Sequence, residues 1–466
     1  MYEQKGIIVY RTGKPDSISY GGAARAVRRD SGQKQQNQRI NKTEVAGAEN
    51  QGSSDNSGDT GATTVTWWTW STEAKDVYEK YAQMVTEKYP NIEVKLEFIQ
   101  NADYWTKLPI AIAGGSGPDI YQMTRPSFEM YAATNQAADL GGILESNAQL
   151  KANLDTMDSV LVEDYTYDGK QLAIPYTVES TAIVYNKNMF KAAGLQEPKE
   201  IEDTWTWDDL QEMAKQLTVI GDSVSNSQYG FFCDVNKIPS WELMLSRGKW
   251  IFSDDGQECT LADPEIIDAM KPFVAMYVED GVSPTTDVAN AMSANDLFMT
   301  GRIAMMAAGS WNLITFSKIE GFEWDCAELP LDPKTGNRMC SSNVLGYMVN
   351  PNTKNMDAVG KVLEVFTSEE AQKELAATGT YIPAVINSRD AYFEMENYPE
   401  NAKAFQRALE YVHPNRLTQF IPYQEYNGYY KDAMTSIFNG EDLETTFQQL
   451  QDKINGVMEE NKKSAQ

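Results

Sequence analysis

The sequence predicts an α/β fold, and three patterns near its start carry that prediction. Residues 63–70 are rich in β-branched and aromatic side chains, which favours a strand. Apolar side chains recur on one helical face between residues 77 and 85, and a proline follows at position 90. Residues 92–98 then alternate apolar and charged side chains, as in a strand with one solvated face. Strand, helix and strand make a βαβ unit, the building block of an open α/β sheet. Further along, Thr206 followed three residues later by Asp209 has the spacing of a capping box and predicts the start of another helix.

A group of indoles marks the place where a ligand would meet this sheet. The first strand ends in Trp67, Trp68 and Trp70. A second crossover runs as a helix from Tyr104 to Ala113 and through the glycine-rich residues 114–119 to the next strand. In an open α/β sheet, the carboxyl ends of the strands border the ligand crevice. Three indoles are more apolar surface than one sheet face needs, so we expect an aromatic wall at this crevice.

Length, charge and composition limit the classes of protein to consider. The chain has 466 residues, enough for more than one domain, and a net charge of -27 that would repel nucleic acid. No apolar run approaches the ~18 residues of a membrane span. The single histidine, His413, excludes histidine triads and multi-histidine metal sites, and we expect neither a metal nor another cofactor.

The four cysteines show no paired metal-ligand spacing. They are Cys233, Cys259, Cys326 and Cys340. A disulfide between Cys326 and Cys340 and a set of four buried thiols are both compatible with the sequence, which does not decide pairing.

The first 61 residues differ from the rest of the chain. Residues 1–45 carry nine Lys/Arg against four Asp/Glu, a net +5 in a chain of -27. Residues 46–61 are rich in Gly, Ser, Asn and Asp, a composition that cannot bury enough apolar surface to fold. We therefore expect residues 1–61 to be a disordered leader and linker.

Seven blocks of sequence occur in the order found in one known family. They are Trp-Thr-Trp at 68–70, Ala-Ile-Ala-Gly-Gly-Ser-Gly-Pro-Asp-Ile at 111–120, Ile-Pro-Tyr at 174–176 with Val-Tyr-Asn-Lys at 184–187, Trp-Thr-Trp-Asp-Asp-Leu at 205–210, Phe-Met-Thr-Gly-Arg-Ile-Ala-Met at 298–305, Gly-Ser-Trp at 309–311 and Tyr-Ile-Pro at 381–383. Together they resemble family 1 of the solute-binding proteins of ATP-binding-cassette (ABC) sugar importers, the group that includes maltose-binding protein.

The resemblance implies a two-lobed, type II periplasmic-binding-protein-like fold with hinge strands and a ligand cleft between the lobes. We place one lobe at residues 62–178 plus 331–384 and the other at residues 179–330 plus 385–466. Such proteins close around their ligand by hinge motion. The implied function is a monomeric carbohydrate receptor that delivers sugar to a membrane permease and catalyses no reaction. It would be tethered to the outer face of the cell membrane, although neither an export signal nor an anchor cysteine is visible in the sequence.

A sugar needs aromatic planes for its C–H faces and carboxylate, amide or guanidinium groups for its hydroxyls. By residue type and by resemblance, the candidate ligand-binding residues are Trp70, Thr72, Glu73, Arg125, Glu179, Trp311, Asn343, Tyr426 and Asn427. Purely structural roles are also compatible with these residues. The indoles could pack in a core, Arg125 could lie on the surface, and Glu179 could form a salt bridge at the hinge. Another tyrosine of residues 423–430 could take the ligand-binding role given to Tyr426.

The main rival function is a glycoside hydrolase, which also lines a cleft with tryptophans and uses two carboxylates across the scissile bond. The sequence has no tight acid-flanked motif on successive strand ends and no repeated barrel pattern. Carbohydrate-binding adhesion modules are usually β-sandwiches, which the alternation of helices and strands disfavours. These patterns favour a binding protein.

Overall fold

The computed structural model describes residues 62–223 and 226–465. The leader expected at residues 1–61 lies outside the described residues. Within these ranges, no helix combines the length and apolar character needed to cross a membrane.

The described chain alternates strands and helices. The strands are β1 Thr63–Thr69, β2 Ile92–Phe98, β3 Ile120–Thr124, β4 Thr166–Tyr167, β5 Lys170–Gln171, β6 Ala173–Val178, β7 Thr181–Asn186, β8 Tyr229–Phe231, β9 Ile303–Gly309, β10 Trp324–Ala327, β11 Cys340–Ser342, β12 Leu345–Val349, β13 Ile382–Pro383 and β14 Val412–Pro414.

The helices connect and cover these strands. They are α1 Lys75–Lys88, α2 Asn101–Ala113, α3 Arg125–Ala133, α4 Gly141–Ser146, α5 Ala148–Leu154, α6 Ser159–Glu163, α7 Lys187–Ala193, α8 Trp207–Leu217, α9 Ser240–Ser246, α10 Pro264–Val278, α11 Thr286–Ala291, α12 Ala294–Met299, α13 Leu313–Phe316, α14 Met356–Phe366, α15 Glu369–Ala376, α16 Asp390–Phe393, α17 Ala404–Ala408, α18 Tyr423–Phe438 and α19 Leu443–Ala465.

Two mixed sheets organise the fold. A six-stranded sheet has the order β13-β6-β12-β3-β1-β2, and a four-stranded sheet has the order β10-β7-β9-β8. In the larger sheet β1 runs parallel to β2 and β3, whereas β12 runs antiparallel to β3 and β6. The predicted βαβ unit is therefore present as β1, α1 and β2, and the predicted α/β class is confirmed.

The alternation of β1 separates its three indoles. Trp67 is fully buried and packs on Tyr78, with ring centroids 4.6 Å apart, and on Phe366 at 4.9 Å. Trp68 is half-buried against a different part of the core. Trp70 lies just beyond the last residue of the strand, at the edge of the sheet. Of the three indoles expected to form an aromatic wall, it is therefore the one that can contribute.

The strands of each sheet come from the segments assigned to each lobe. The larger sheet uses residues 62–178 and 331–384, and the smaller sheet uses residues 179–330. The lobe boundaries stay a prediction, and contacts at two of them favour a boundary a few residues later in the sequence. Leu331, the first residue assigned back to the first lobe, accepts a hydrogen bond at 3.1 Å from the amide of Trp207, which belongs to the second lobe. Conversely, Arg389 donates to the Asp158 carboxylate of the first lobe at 2.6 Å.

Two local expectations have clear outcomes. The capping box of α8 is confirmed, because the Asp209 carboxylate accepts from the Thr206 amide at 2.8 Å and the Thr206 hydroxyl accepts from the Asp209 amide. All four cysteines are free and buried, so the thiol alternative holds and no disulfide joins Cys326 to Cys340. The Cys340 sulfur instead accepts from the Thr181 amide at 3.0 Å.

Candidate ligand-binding cleft

A cleft of about 420 Å³ lies where the two sheets meet, with residues of both lobes on its walls. Its lining is aromatic and amide-rich, and consists of Trp70, Asn101, Trp105, Thr124, Glu179, Asn343, Leu345, Tyr381, Tyr423, Gln424 and Asn427. Its volume lies within the ~300–1,000 Å³ range of small-molecule sites.

The first-lobe wall is a packed pair of indoles. Trp70 follows β1 and Trp105 comes from the second turn of α2, and their ring centroids are 5.2 Å apart with planes inclined by 40°. Tyr104 supports Trp70 from behind at 4.9 Å, and its own hydroxyl donates to the Gln122 carbonyl at 2.6 Å. Because the rings are braced by one another and by the sheet, they form a fixed apolar surface.

Tyr381 extends this wall, and a first-lobe acid orients its hydroxyl. The Tyr381 hydroxyl donates to the Glu73 carboxylate and lies 2.9 Å from the Ser71 hydroxyl. Glu73 is exposed and acts on the cleft through Tyr381, while Thr72 is exposed on the same 3₁₀ turn, Thr72–Ala74. Neither Thr72 nor Glu73 is among the lining residues.

The floor of the cleft carries its one carboxylate. Among the described residues that line the cleft, Glu179 is the one acidic side chain, and it is 8% exposed. Burial raises the pKa of Glu179 to about 7, against the opposing effects of the Lys237 charge and of a hydrogen bond from Asn343. The backbone is fixed as well, since the Ser342 hydroxyl donates to the Glu179 carbonyl at 2.7 Å.

The first turns of α18 supply the second-lobe wall. Tyr423, Gln424 and Asn427 share one face of this helix and line the cleft. Tyr426 points the other way: it is fully buried, and its ring packs on Phe252 at 5.5 Å. The structure therefore places Asn427 on the cleft and Tyr426 in the second-lobe core.

Arg125 and Trp311 lie outside the lining. The Arg125 guanidinium is 2% exposed and pairs with Asp164 and Glu129. It is therefore buried between two acids and does not lie at the crevice, where the sequence had placed it. Trp311 is half-buried and covers Gly309, where a Cβ atom would lie 2.0 Å from the indole. It belongs to none of the hydrophobic clusters formed by the described residues.

Several lining residues were missed from the sequence. They are Asn101, Trp105, Thr124, Leu345, Tyr381, Tyr423 and Gln424. Tyr381 opens one of the seven sequence blocks, which could have identified it. Tyr423 was within the region predicted, although Tyr426 was chosen.

The arrangement suits binding of a hydroxylated molecule better than catalysis. Four amides and the hydroxyls of Thr124, Tyr381 and Tyr423 offer both donors and acceptors, and the aromatic rings offer flat apolar faces. A glycoside hydrolase needs two facing carboxylates, whereas this lining presents Glu179. Across residues 62–223 and 226–465, no group of three or more side chains of metal-binding type comes together.

Comparison with known proteins gives the family. Residues 69–373 match the bacterial extracellular solute-binding proteins. The maltotriose-binding protein of Pyrococcus abyssi is 25% identical over 315 residues, which are 66% of this chain and 63% of that protein. A maltooligosaccharide ABC transporter solute-binding lipoprotein of Streptococcus pneumoniae is 23% identical over 330 residues, 69% of this chain and 73% of the relative. The chain thus spans just under two thirds of the Pyrococcus protein.

Solved structures show the same two-lobed fold. An ABC substrate-binding protein from Listeria monocytogenes, in complex with cycloalternan, has a TM-score of 0.75 at 24% identity and covers 85% of this chain and 99% of its own. The cyclic alpha-maltosyl-1,6-maltose binding protein of Arthrobacter globiformis has a TM-score of 0.71 at 19% identity, covering 86% and 100%. These are binding proteins rather than enzymes, and the predicted fold class is confirmed. The chain belongs to the family of bacterial extracellular solute-binding proteins, as its seven sequence blocks predicted.

Proposed function

We propose that this protein is the carbohydrate receptor of an ABC importer, which captures a sugar or oligosaccharide between its lobes and delivers it to a membrane permease. The observation that carries the proposal is the lining of the cleft. Trp70, Trp105 and Tyr381 from the first lobe face Tyr423 from the second, with amides and one carboxylate between them. Aromatic faces with interleaved hydrogen-bonding groups match the two surfaces of a sugar ring.

Closure follows from the placement of these groups on both lobes. A ligand that touches the indoles of the first lobe and α18 of the second makes its full set of contacts only when the lobes are close together. Its differential affinity for that arrangement shifts the population toward the closed form. The closed form is the species that the permease would recognise.

The site of action and the partners follow the same reasoning. The family is extracellular, and the Streptococcus relative is a lipoprotein, which supports a tether on the outer face of the membrane. The net charge of -27 supports the absence of a nucleic-acid partner. We expect a monomer, which light scattering coupled to size exclusion would measure.

A panel of ligands tests the proposal. Maltotriose, mannotriose, diacetylchitobiose and cycloalternan would be titrated by calorimetry and screened by thermal shift, with an amino-acid mixture as the control ligand. A ligand that binds the native state raises the midpoint of unfolding by mass action. Saturable binding of at least one sugar is expected, and binding of amino acids with no response to any sugar would contradict the proposal.

The hydrolase alternative predicts a different result when the protein is incubated with the same oligosaccharides. Prolonged incubation with each oligosaccharide should release no reducing ends if the protein only binds. Turnover at a rate that falls in a Glu179→Gln variant would identify a hydrolase.

A further inference from the structure

Lys237 lies at the cleft edge of the second lobe without an ion-pair partner among the described residues. It follows β8, which runs parallel to β9, while β7 starts opposite the end of β9. The carboxyl ends of β8 and β9 and the beginning of β7 therefore share one edge of the four-stranded sheet. Glu179 lies at that edge, two residues before β7, and it lines the cleft.

The Lys237 side chain is held by aromatic rings, one of which lines the cleft. Its Nζ lies 5.2 Å from the ring centroid of the fully buried Trp241 and 6.0 Å from that of Tyr423. Lys237 itself is half-buried. Cation–π contacts fix the position of an ammonium group without using its N–H donors. Three donors are thus available beside the cleft.

The charge of Lys237 acts on the one carboxylate of the cleft. It lowers the pKa of Glu179, which burial raises, and it also lowers the pKa of the fully buried Glu242. Among the described residues Lys237 forms a direct ion pair with neither acid. The other side chains that interact electrostatically with Glu179 are Tyr165, Tyr392 and Cys340, which are neutral at pH 7 because burial raises their pKa values.

An ammonium donor and a carboxylate acceptor that flank one cleft have a specific complement. A sugar hydroxyl both donates and accepts, so it satisfies both groups at once. Hydrogen bonds to charged groups are stronger than those between neutral groups. A ligand group that only accepts, such as a uronic-acid carboxylate, would meet the repulsion of the Glu179 carboxylate.

We propose that Lys237 and Glu179 hold one hydroxyl of a neutral sugar between them, the hydroxyl accepting from the Lys237 ammonium and donating to the Glu179 carboxylate. This inference rests on the proposed carbohydrate function and names the residue pair that sets specificity within it. Lys237 is a binding residue that neither the sequence motifs nor the lining of the cleft identifies.

The test measures dissociation constants for wild type, Lys237→Met and Lys237→Arg between pH 5.5 and pH 8.5. The probe is the panel sugar that wild type binds most tightly. At pH 8.5, where Glu179 is largely ionised in wild type, Lys237→Met should bind about tenfold more weakly, as expected for loss of one hydrogen bond to a charged group. Lys237→Arg, which keeps a cation and donors, should recover part of that loss.

The pH profile gives a readout that a purely structural role would not move. Wild-type affinity should fall as the pH drops below about 7, because a protonated Glu179 no longer accepts as a carboxylate. Loss of the Lys237 charge should shift that fall to higher pH. A matched control is Lys453→Met, since Lys453 also lies over a ring, 3.5 Å from the Tyr429 centroid, but is exposed on α19 outside the cleft.

Monodeoxy derivatives of the probe identify the hydroxyl. One derivative should lose affinity for wild type and lose less for Lys237→Met, because in the variant that hydroxyl keeps its bond to Glu179 but has already lost its bond to Lys237. An unchanged dissociation constant for Lys237→Met at pH 8.5, or tighter wild-type binding of a uronic-acid oligosaccharide than of its neutral counterpart, would overturn the inference. Failure of wild type to bind any sugar would instead overturn the proposed function.

Discussion

Replacing Glu179 by glutamine should stabilise the unliganded protein relative to wild type, progressively as the pH rises from 4.5 to above 7. Burial raises the pKa of Glu179 from 4.5 to about 7 in the folded protein. Each unit of pKa corresponds to about 1.4 kcal/mol, so the difference is worth about 3 kcal/mol. Because the folded-state value is the higher one, this stability is fully present below pH 4.5 and is lost as the pH rises through 7. Glutamine does not titrate and avoids that loss.

Urea unfolding at pH 4, 6 and 8, followed by tryptophan fluorescence, measures the effect. The free energy of unfolding of Glu179→Gln minus that of wild type should increase by about 3 kcal/mol between pH 4 and pH 8. The control variant is Glu79→Gln, whose side chain is 55% exposed on α1. A difference for Glu179→Gln that is independent of pH would refute the reasoning, since it would mean that Glu179 has the same proton affinity in the folded and unfolded chains.

Three further substitutions test the walls and the charges around the cleft. Trp105→Ala should weaken sugar binding by about 1 kcal/mol or more in calorimetry, because an aromatic face of the cleft is lost. The control Trp324→Ala, on β10, should leave the affinity unchanged. Equal losses of affinity in the two variants would contradict the placement of Trp105 in the cleft. Arg416→Met removes the second-lobe partner of the fully buried Asp164, and should increase the radius of gyration of the unliganded protein in X-ray scattering and weaken ligand binding several-fold. Arg125→Met should destabilise the fold by about 3–5 kcal/mol in urea unfolding because it leaves a buried acid without its main partner, and a loss of affinity in a stably folded variant would show that Arg125 contacts ligand after all.

The local pattern of the sequence was enough to predict the start of the fold and its class. The period-two alternation of residues 92–98 and the capping box at Thr206 depend on neighbouring residues alone, and both are present. The seven blocks then supplied the two-lobed architecture, which the structural neighbours confirm. The positions where the chain passes between lobes depend on contacts such as Arg389 with Asp158, across 231 residues, and no local pattern reports them.

Helix phase explains the residues that sequence reasoning misplaced around α18. The helix begins at Tyr423, directly after Pro422. With that start, a period of 3.6 residues puts positions 423, 424 and 427 on one face and positions 426 and 430 on another. The sequence located the turn, but several adjacent tyrosines hid the phase, so Tyr426 was chosen.

The same limit applied on the first lobe. The predicted second helix began at Tyr104, whereas α2 begins at Asn101, and this earlier start puts Asn101 and Trp105 on one face toward the cleft. Arg125 illustrates a different limit. Its acid partner Asp164 is 39 residues away, and only the folded chain brings the two together.

Glu179 and Ser180 are the whole connection between β6 of the larger sheet and β7 of the smaller one. Under the proposed function, the carboxylate that contacts the ligand lies in this link between the two sheets. Redesign of selectivity at Glu179 would then also alter the range and the ease of the hinge motion. Trp105 and Asn427, each carried by a helix of one half, offer places where cargo preference can be retuned separately from the motion. A fluorescent dye attached near residues 179–180 would lie beside the cleft and would respond directly to bound ligand. This link is therefore the natural starting point for a biosensor.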